Sequence, residues 1–220
     1  MKSIIFIAPP AAGKGTQSKL VSKKYNIPHI STGDLLRNEI NSGSELGKSI
    51  KSEIDKGHFA SDEIIFDLLK NRLNQDDCKN GYILDGFPRN LNQAREYDKM
   101  LEALNKDIGY VILLDLDKET AKKRIIGRLS CKNCGSVYNE LIEDAIPKNK
   151  GVCDKCNLEL SKRDDDNEET FEERFNTYLK ETEPLINYYE NKGCLYRVNS
   201  GVRKERIFEE IVRIIGSSKW

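Results

Sequence analysis

Residues 3–20 read SIIFIAPPAAGKGTQSKL, and this stretch decides the fold. Its first part, residues 4–7, is a short apolar run rich in β-branched and aromatic residues, which favours a buried β-strand. A turn of small residues and prolines follows, and then a segment with the composition of a helix. Strand, small-residue loop and helix in this order predict a loop that binds phosphate.

The chemistry of the predicted loop comes from its backbone. The sequence Gly13-Lys14-Gly15-Thr16 lies where the helix should begin. Its N–H groups therefore have no helical partner, and they lie at the positive end of the helix dipole. Such a helix start binds anions, including phosphate. We expect Lys14 to add a positive charge for the β- and γ-phosphates, and Thr16 to offer a hydroxyl for Mg²⁺.

Two alanines stand where loops of this kind usually carry glycine. The strict pattern has a glycine six residues before the lysine, and this chain has Ala8 there, while Ala11 occupies another such position. If either position requires a positive φ, alanine costs about 1–2 kcal/mol. The alternative to phosphate binding is an ordinary connection between a strand and a helix, and the loop motif alone leaves both open.

Composition limits the class of protein. The 220 residues suffice for one α/β domain with insertions, and 33% of them are charged and 38% hydrophobic, as in a globular chain. The 36 basic and 36 acidic residues cancel, which argues against a dedicated nucleic-acid binder. The N-terminal apolar run is too short for a signal peptide, and no stretch reaches membrane-spanning length. We therefore expect a cytoplasmic enzyme, and a monomer because no unpaired apolar stripe remains.

A second strand is predicted over residues 82–85, and it ends in Asp85. The carboxyl end of a parallel strand is where α/β sheets bind their ligands, so Asp85 is well placed to hold Mg²⁺ through water. The alternative is that Asp85 only caps the following turn. Further strands are predicted over 110–115 and 195–198, and a helix over 120–129 that would present Arg124 and Arg128 on one face.

Residues 31–60 predict a helical insertion into the sheet. Either Ser31 or Thr32 is placed to cap its first helix, and the Ser-Gly-Ser sequence at 42–44 should end that helix. A second helix is expected to run to about residue 56. Ser61-Asp62-Glu63 then predicts the start of the next helix.

Four of the six cysteines form two close pairs. Cys131 and Cys134 are separated by two residues, eighteen residues follow, and Cys153 and Cys156 repeat the spacing. This is the spacing of a four-cysteine zinc site, and with all four ligand positions filled the metal would be structural. The residues between the pairs are weak in core-forming side chains, so the metal should supply the folding energy.

A different class of protein also fits the cysteine pairs, namely a zinc ribbon that binds nucleic acid. Such a module needs a basic face with aromatic residues for base stacking. Here the lysines of residues 131–156 are balanced by acidic residues, and Tyr138 is the only aromatic residue. We therefore give this alternative little weight.

Taken together, these motifs resemble those of the adenylate kinases, within the nucleoside monophosphate kinases. The resemblance runs nearly end to end. The cysteine segment is similar to the zinc-bearing lid of one branch of that family. The stretches that carry the resemblance are Gly13-Lys14-Gly15-Thr16-Gln17, Ser31-Thr32-Gly33-Asp34-Leu35-Leu36-Arg37, Leu84-Asp85-Gly86-Phe87-Pro88-Arg89 with Gln93, Arg124 with Arg128, Arg163-Asp164-Asp165-Asp166, and Arg174.

The resemblance implies an α/β fold of the P-loop NTPase type, with a parallel five-stranded sheet flanked by helices. It implies a core of residues 1–30, 61–127 and 166–220, a nucleoside-monophosphate-binding insert of residues 31–60, and a zinc-stabilised lid of residues 128–165. The implied reaction is ATP + AMP ⇌ 2 ADP with Mg²⁺, and the implied partners are these nucleotides alone, without nucleic acid or membrane.

The resemblance also implies roles for individual residues. Those expected to act in catalysis are Lys14, Asp85, Arg89, Arg124, Arg128, Arg163 and Arg174. Those expected to bind ATP are Ala11, Ala12, Gly13, Lys14, Gly15, Thr16, Arg128, Val137 and Tyr138. Those expected to bind AMP are Thr32, Arg37, His58, Phe59, Ala60, Gly86, Arg89, Gln93, Arg163 and Arg174.

The chemistry of phosphoryl transfer agrees with this set of residues. The attacking phosphate oxygen is already ionised at neutral pH, so the reaction needs positive charge and positioning more than a side-chain base. We accordingly expect His29 and His58 to be structural, and Asp165 and Asp166 to pair with arginines when the lid closes. Within the same class, a kinase of UMP, CMP or GMP is the alternative that the sequence leaves open.

Overall fold

The computed structural model describes residues 3–55, 60–162 and 166–217, and in the order of the chain it has the following elements. The strands are β1 Ile4–Ile7, β2 His29–Ser31, β3 Ile83–Asp85, β4 Tyr110–Asp115, β5 Arg128–Ser130, β6 Val137–Asn139 and β7 Leu195–Asn199. The α-helices are α1 Lys14–Tyr25, α2 Thr32–Ser42, α3 Glu45–Asp55, α4 Asp62–Leu73, α5 Leu91–Ala103, α6 Lys118–Ile126, α7 Glu168–Thr177, α8 Pro184–Asn191 and α9 Lys204–Ser217.

Five parallel strands form the central sheet, as predicted, in the order β2-β3-β1-β4-β7. β1 lies in the middle, and Ile4 is in register with Ile83 of β3 on one side and with Tyr110 of β4 on the other. After β1 the chain forms β2 and β3 on one side of β1, and then β4 and β7 on the other side. Open α/β sheets bind ligands at the carboxyl ends of the strands where the winding changes direction in this way, which here is the end of β1.

The sheet is buried on both faces, which explains why its strands are continuously apolar rather than alternating. Ile4 and Phe6 of β1 face a layer that contains α1, α6, α7 and α9. Ile5 and Ile7 face the opposite layer, which contains α4, α5 and α8. The two faces of β1 thus anchor two separate hydrophobic cores, and the loop after β1 is held on a rigid base.

The helical insertion is present as α2 and α3. Ser31 is the residue that caps α2, because its hydroxyl accepts a hydrogen bond from the N–H of Asp34. The two helices approach closely at Gly47, where a Cβ atom would lie 2.2 Å from the carbonyl oxygen of Glu39. Ser61 caps α4 in the same way as Ser31 caps α2, so both predicted helix starts are confirmed.

The cysteine-bearing segment has a small core of its own. β5 and β6 form an antiparallel pair, and reciprocal backbone hydrogen bonds of 2.9 and 3.0 Å join Ser130 to Ser161 where the chain enters and leaves the segment. The buried residues of its apolar cluster are Cys131, Cys153 and Leu160. Such a small core agrees with the predicted scarcity of apolar residues. The division of the chain at residues 31–60 and 128–165 stays a prediction.

The prediction of a helix over residues 120–129 is wrong at its end. α6 stops at Ile126, and Arg128 lies in β5, so Arg124 and Arg128 do not share a helical face. Gly127 caps the end of α6, and a residue of β6 adds a second reason for the helix to stop there. The amide of Asn139 donates hydrogen bonds to the carbonyls of Lys123 and Arg124, and a side chain at Gly127 would collide with Asn139.

Pro184 begins α8. A π-helical turn, Tyr178–Thr182, precedes it, with a hydrogen bond of 2.9 Å from the N–H of Glu183 to the carbonyl of Tyr178. The sequence did not predict this turn. It follows from the missing N–H of proline, which removes one hydrogen bond of a continuous α-helix. Within the described ranges no helix has both the length and the apolar character needed to cross a membrane.

Candidate active site and metal centre

The loop after β1 ends at the N-terminus of α1, which begins at Lys14. Gly13 precedes the helix with φ 85°, and it has no side chain that could cap the first turn. The first turn also contains no acidic residue. The N–H of Thr16 already donates to the carbonyl of Gly13 at 3.0 Å, so the N–H groups that precede it and the positive end of the helix dipole are the parts that can face an anion.

The two alanines of the loop differ in backbone conformation. Ala11 has φ 63°, in the left-handed region that favours glycine, whereas Ala8 is not among the described residues with positive φ. Of the two alanines, only Ala11 therefore has the positive φ at which alanine is costly. Both side chains pack against the same hydrophobic core.

Asp85 lies at the carboxyl end of β3, next to this loop. Its Oδ1 is 2.9 Å from Nζ of Lys14, and its Oδ2 is 2.9 Å from Nε2 of His29. Burial alone raises the pKa of Asp85, but the hydrogen bond from His29 and the charge of Lys14 outweigh it and lower the pKa to about 2. Asp85 is therefore ionised at neutral pH.

The oxygen atoms at this end of the sheet suit a magnesium ion. Mg²⁺ prefers oxygen ligands and keeps several of its water molecules. Asp85 supplies an ionised carboxylate, and the exposed Thr16 supplies a hydroxyl at the start of α1. This set of donors fits a hydrated Mg²⁺ ion carried by a nucleotide.

Arg89 follows β3 and is held through its backbone. Its N–H donates to Oε1 of Gln93 at 2.7 Å, and its carbonyl accepts from the hydroxyl of Thr182 at 2.9 Å. Its own Nε donates to the carbonyl of Gly86 at 3.0 Å, and the hydroxyl of Thr32 donates to the same carbonyl at 3.2 Å. The structure thus brings Thr32, Gly86, Arg89 and Gln93 together, beside Asp85.

Gln93 is buried and its amide is bonded at both ends. While Oε1 accepts from Arg89, Nε2 donates to Oδ1 of Asp62 at 2.6 Å. Asn92 donates to the second oxygen of Asp62 at 3.2 Å. Each end of the Gln93 amide retains one further hydrogen-bonding position, so these contacts orient Gln93 without exhausting it.

Arg124 joins the phosphate loop to the end of β7. Its guanidinium donates to the carbonyl of Ser200 at 2.8 Å and to that of Ala11 at 3.4 Å. Burial lowers the pKa of Arg124 from its usual value, although the group stays charged at neutral pH. A fixed positive charge therefore lies against the loop.

Arg128 forms a buried ion pair with Asp166, whose side chain is fully buried. The pair is bidentate. Nε of Arg128 donates to Oδ2 of Asp166 at 2.8 Å, and Nη2 of Arg128 donates to Oδ1. It joins the start of the cysteine-bearing segment to the residues that follow the segment. The hypothesis that Asp166 pairs with an arginine agrees with this contact, while Asp165 lies outside the described residues.

For the other predicted site residues the structure gives the following positions, and their roles stay predictions. Arg37 is exposed and pairs with Asp34 at 2.5 Å on α2, and Arg174 lies exposed on α7. Val137 is exposed on β6, and Ala60 precedes α4. The remaining predicted residues, His58, Phe59 and Arg163, lie outside the described residues.

The four predicted metal ligands form one cluster. The sulfur atoms of Cys131, Cys134, Cys153 and Cys156 all lie within 4.8 Å of one another, and three of the separations are 3.3, 3.6 and 3.6 Å. A tetrahedral zinc ion with bonds of about 2.3 Å needs sulfur atoms about 3.8 Å apart. The geometry and the ligand chemistry therefore both fit Zn²⁺.

The two cysteine pairs are built as matching turns. In each, the residue after the second cysteine, Gly135 or Asn157, has a positive φ and donates its N–H to the carbonyl of the first cysteine at 2.9 Å. Glycine and asparagine are the residues that adopt this conformation most readily. The repeated turn brings both sulfur atoms of a pair to one side.

The crowding of the four thiols is compatible with a bound cation. Burial raises the pKa of Cys153, but hydrogen bonds from the hydroxyl of Tyr138 and from nearby backbone N–H groups bring it down to about 6. Hydrogen bonds to Cys131 and Cys153 raise the pKa of Cys156 to about 12. Four sulfurs so close cannot all ionise unaided, and a divalent metal removes the conflict because it binds the thiolate form.

Sequence reasoning missed some contacts of this site. It predicted no contact between His29 and Asp85, and it gave no role in the site to Thr182, Asn139 or Asp62. His29 had one usable signal, since it lies on the strand next to Asp85. Thr182 and Asn139 had none, because their partners are 93 and 15–16 residues away in the chain.

The sequence model of the family described as "Adenylate kinase" matches residues 6–194. An adenylate kinase of Archaeoglobus fulgidus is 50% identical over 217 residues, which cover 99% of each chain. Adenylate kinases of Clostridioides difficile and Thermodesulfovibrio yellowstonii are 44% and 45% identical over 98% and 96% of this chain, and over 99% and 98% of their own lengths.

Proposed function

This chain belongs to the adenylate kinase family, and we propose that it catalyses the reversible transfer of the terminal phosphoryl group of ATP to AMP, giving two ADP, with Mg²⁺. The observation that carries the proposal is the position of Lys14. Its amine lies at the N-terminus of α1 and 2.9 Å from Asp85, at the carboxyl ends of neighbouring parallel strands. A lysine and a carboxylate at an anion-binding helix end are the parts that a nucleotide with its magnesium ion requires.

We assign the binding of ATP to the loop and to residues of the cysteine-bearing segment. Backbone N–H groups of residues 11–16 would hold the phosphates, with Lys14 as the mobile positive charge. Arg124 would add a fixed charge, because its contacts with Ser200 and Ala11 keep it against the loop. Arg128, Val137 and Tyr138 would reach ATP from the segment when it closes over the site.

We assign the binding of AMP to the opposite side of the sheet end. Thr32, Gly86, Arg89 and Gln93 are joined there by hydrogen bonds, and α2 and α3 with residues 58–60 and Arg37 would cover the nucleotide. Arg89 would bind the phosphate of AMP. Its backbone N–H is held by Gln93 and its carbonyl by Thr182, so the position from which its side chain starts is fixed. Arg163 and Arg174 would add charge at the transferring group.

The residues of the site supply charge and position rather than acid–base chemistry. The attacking oxygen of AMP is ionised at neutral pH, so no proton has to be removed from it. Bound Mg²⁺ supplies positive charge that neutralises the phosphate oxygens during transfer. Lys14 and the arginines act in the same way and align the two nucleotides. The two inserts would exclude water, which otherwise competes for the phosphoryl group.

The four-cysteine cluster takes no part in this chemistry. We propose that it holds a structural Zn²⁺ ion, with Cys131, Cys134, Cys153 and Cys156 as its four ligands. All four positions of a tetrahedron would be filled by sulfur, so none is left for substrate. We also propose, from the composition of the chain, a cytoplasmic monomer without nucleic-acid or membrane partners.

The deciding experiment is a coupled assay of ADP formation with ATP and each of AMP, GMP, UMP and CMP. We expect kcat/KM to be highest for AMP. A clear preference for a pyrimidine monophosphate would replace the proposal with the alternative kinase. Absence of turnover with every monophosphate would refute it.

The same assay tests the role of Lys14. We expect Lys14→Ala to lower kcat by about a hundredfold or more, because one charged donor aimed at the reacting group is worth that much. The fold should be intact, since Lys14 is partly exposed and contributes no core packing. Near-normal turnover in Lys14→Ala would remove the loop from the mechanism.

A further inference from the structure

His29 contacts the site from a neighbouring strand. β2 pairs with β3 so that His29 is in register with Ile83 and Ser31 with Asp85. His29 and Asp85 are thus diagonal neighbours on the same face of two adjacent strands. The imidazole of His29 reaches the carboxylate of Asp85 on the neighbouring strand. Both side chains are mostly buried, with exposed fractions of 17% for His29 and 14% for Asp85.

The hydrogen atom in this contact can be assigned. A carboxylate that pairs with Lys14 through Oδ1 can only accept at Oδ2, and a bare imidazole nitrogen 2.9 Å from Oδ2 would repel it. Nε2 of His29 must therefore carry the proton. The two oxygens of Asp85 are then divided between two donors, with Oδ2 on His29 and Oδ1 on Lys14.

We propose that His29 is a positioning residue for Asp85, an inference that rests on the proposed function. Lys14 must leave Asp85 when its amine turns to the phosphates of ATP. His29 keeps Oδ2 in place during this change, so that Oδ1 alone is released and faces the water shell of the magnesium ion. Without His29 the carboxylate is free to rotate, and it can hold Lys14 with either oxygen.

The first test compares His29→Leu, which removes the donor, with His29→Gln, whose Nε2 can restore it. We expect His29→Leu to raise the Mg²⁺ concentration for half-maximal kcat by about tenfold, as losses of groups that orient a metal ligand commonly do. His29→Gln should recover most of this loss. Ser22→Ala is the matched control, because Ser22 donates to the carbonyl of Ile27 at 2.6 Å just before β2 and does not touch Asp85.

A purely structural role for His29 predicts a different pattern. His29→Leu would then lower the melting temperature and leave the Mg²⁺ concentration for half-maximal kcat unchanged, as Ser22→Ala should. That result would overturn the inference. The assay of wild-type protein with ATP and AMP is read separately, so failure of the proposed function is distinguished from failure of the role of His29.

The second test needs neither metal nor activity, and it holds even if His29→Leu does not fold. The chain has two histidines, so their imidazole nitrogens can be followed by ¹⁵N NMR in the free protein, with His58→Gln used for assignment. We expect Nε2 of His29 to carry a proton, and its signal to shift in Asp85→Ala. An unprotonated Nε2 in wild-type protein, or no shift in Asp85→Ala, would refute the inference.

Discussion

The two alanines of the phosphate loop offer a matched pair of substitutions. Ala8→Gly and Ala11→Gly make the same chemical change in one loop, and both side chains pack against the same core. The backbones differ, since only Ala11 has a left-handed φ, at 63°. Any difference in stability between the two variants therefore measures the strain at Ala11.

The magnitude follows from three terms. Each substitution loses the packing of one methyl group, at most about 0.8 kcal/mol, and adds backbone freedom to the unfolded chain, about 0.5–1 kcal/mol. Ala11→Gly also relieves about 1–2 kcal/mol of left-handed strain. We expect Ala8→Gly to be destabilised by about 1–1.5 kcal/mol, and Ala11→Gly to lie between about 0.5 kcal/mol less stable and about 1 kcal/mol more stable than wild type.

The assay is urea unfolding of the three proteins, supported by thermal melting. A difference of 1–2 kcal/mol corresponds to about 2–8 °C in melting temperature for a chain of this size. Activity should be equal or improved in Ala11→Gly, because its backbone already has a conformation natural to glycine. Equal destabilisation of both variants would show that Ala11 carries no strain, and a large loss of activity would show that the loop geometry is wrong.

Two further predictions concern the metal centre and the response to acid. We expect metal analysis to find about one zinc per chain. Cys153→Ser should lose the zinc and lower the thermal stability, whereas Cys194→Ser, which alters a cysteine outside the cluster, should retain both. A metal-free wild-type protein with unchanged stability would contradict the site. Because the pKa of Asp85 is lowered from 3.8 to about 2 by folding, its contribution to stability is complete above about pH 4 and is lost as the pH falls towards 2. The free energy of unfolding of wild type relative to Asp85→Asn should accordingly fall by about 2 kcal/mol across that window, and a constant difference would show that the contacts of Asp85 do not stabilise the fold.

Local signals in the sequence were sufficient for much of the fold. The apolar run at residues 4–7, the cap at Ser61 and the paired cysteines each lie within a few residues of the structure they specify, and each was predicted correctly. The contact of Lys14 with Asp85 was not predicted, although it could have been inferred, because parallel strands bring their carboxyl ends to one edge of the sheet.

What could not be predicted depends on contacts between distant parts of the chain. Asn139, which lies on another strand, adds hydrogen bonds at the end of α6, and the π-helical turn contains Thr182, whose hydroxyl donates to the carbonyl of Arg89. Hydrophobic periodicity carries no information about such side-chain hydrogen bonds. The turns after Cys134 and Cys156 were in principle readable, since Gly135 and Asn157 are residue types that favour positive φ.

The pairing of Ser130 with Ser161 has a consequence for how this enzyme can be altered. Backbone hydrogen bonds hold the two ends of the cysteine-bearing segment side by side, so the chain enters and leaves the segment at one place. Within the segment, Asn139 also contacts α6 and Asp144 pairs with Arg203, and a replacement would have to keep or substitute these contacts. A short hairpin turn would bridge the same gap. Segments of other lengths, with or without cysteines, can therefore be grafted at this junction by protein engineering or exchanged in evolution while the sheet beneath is left intact.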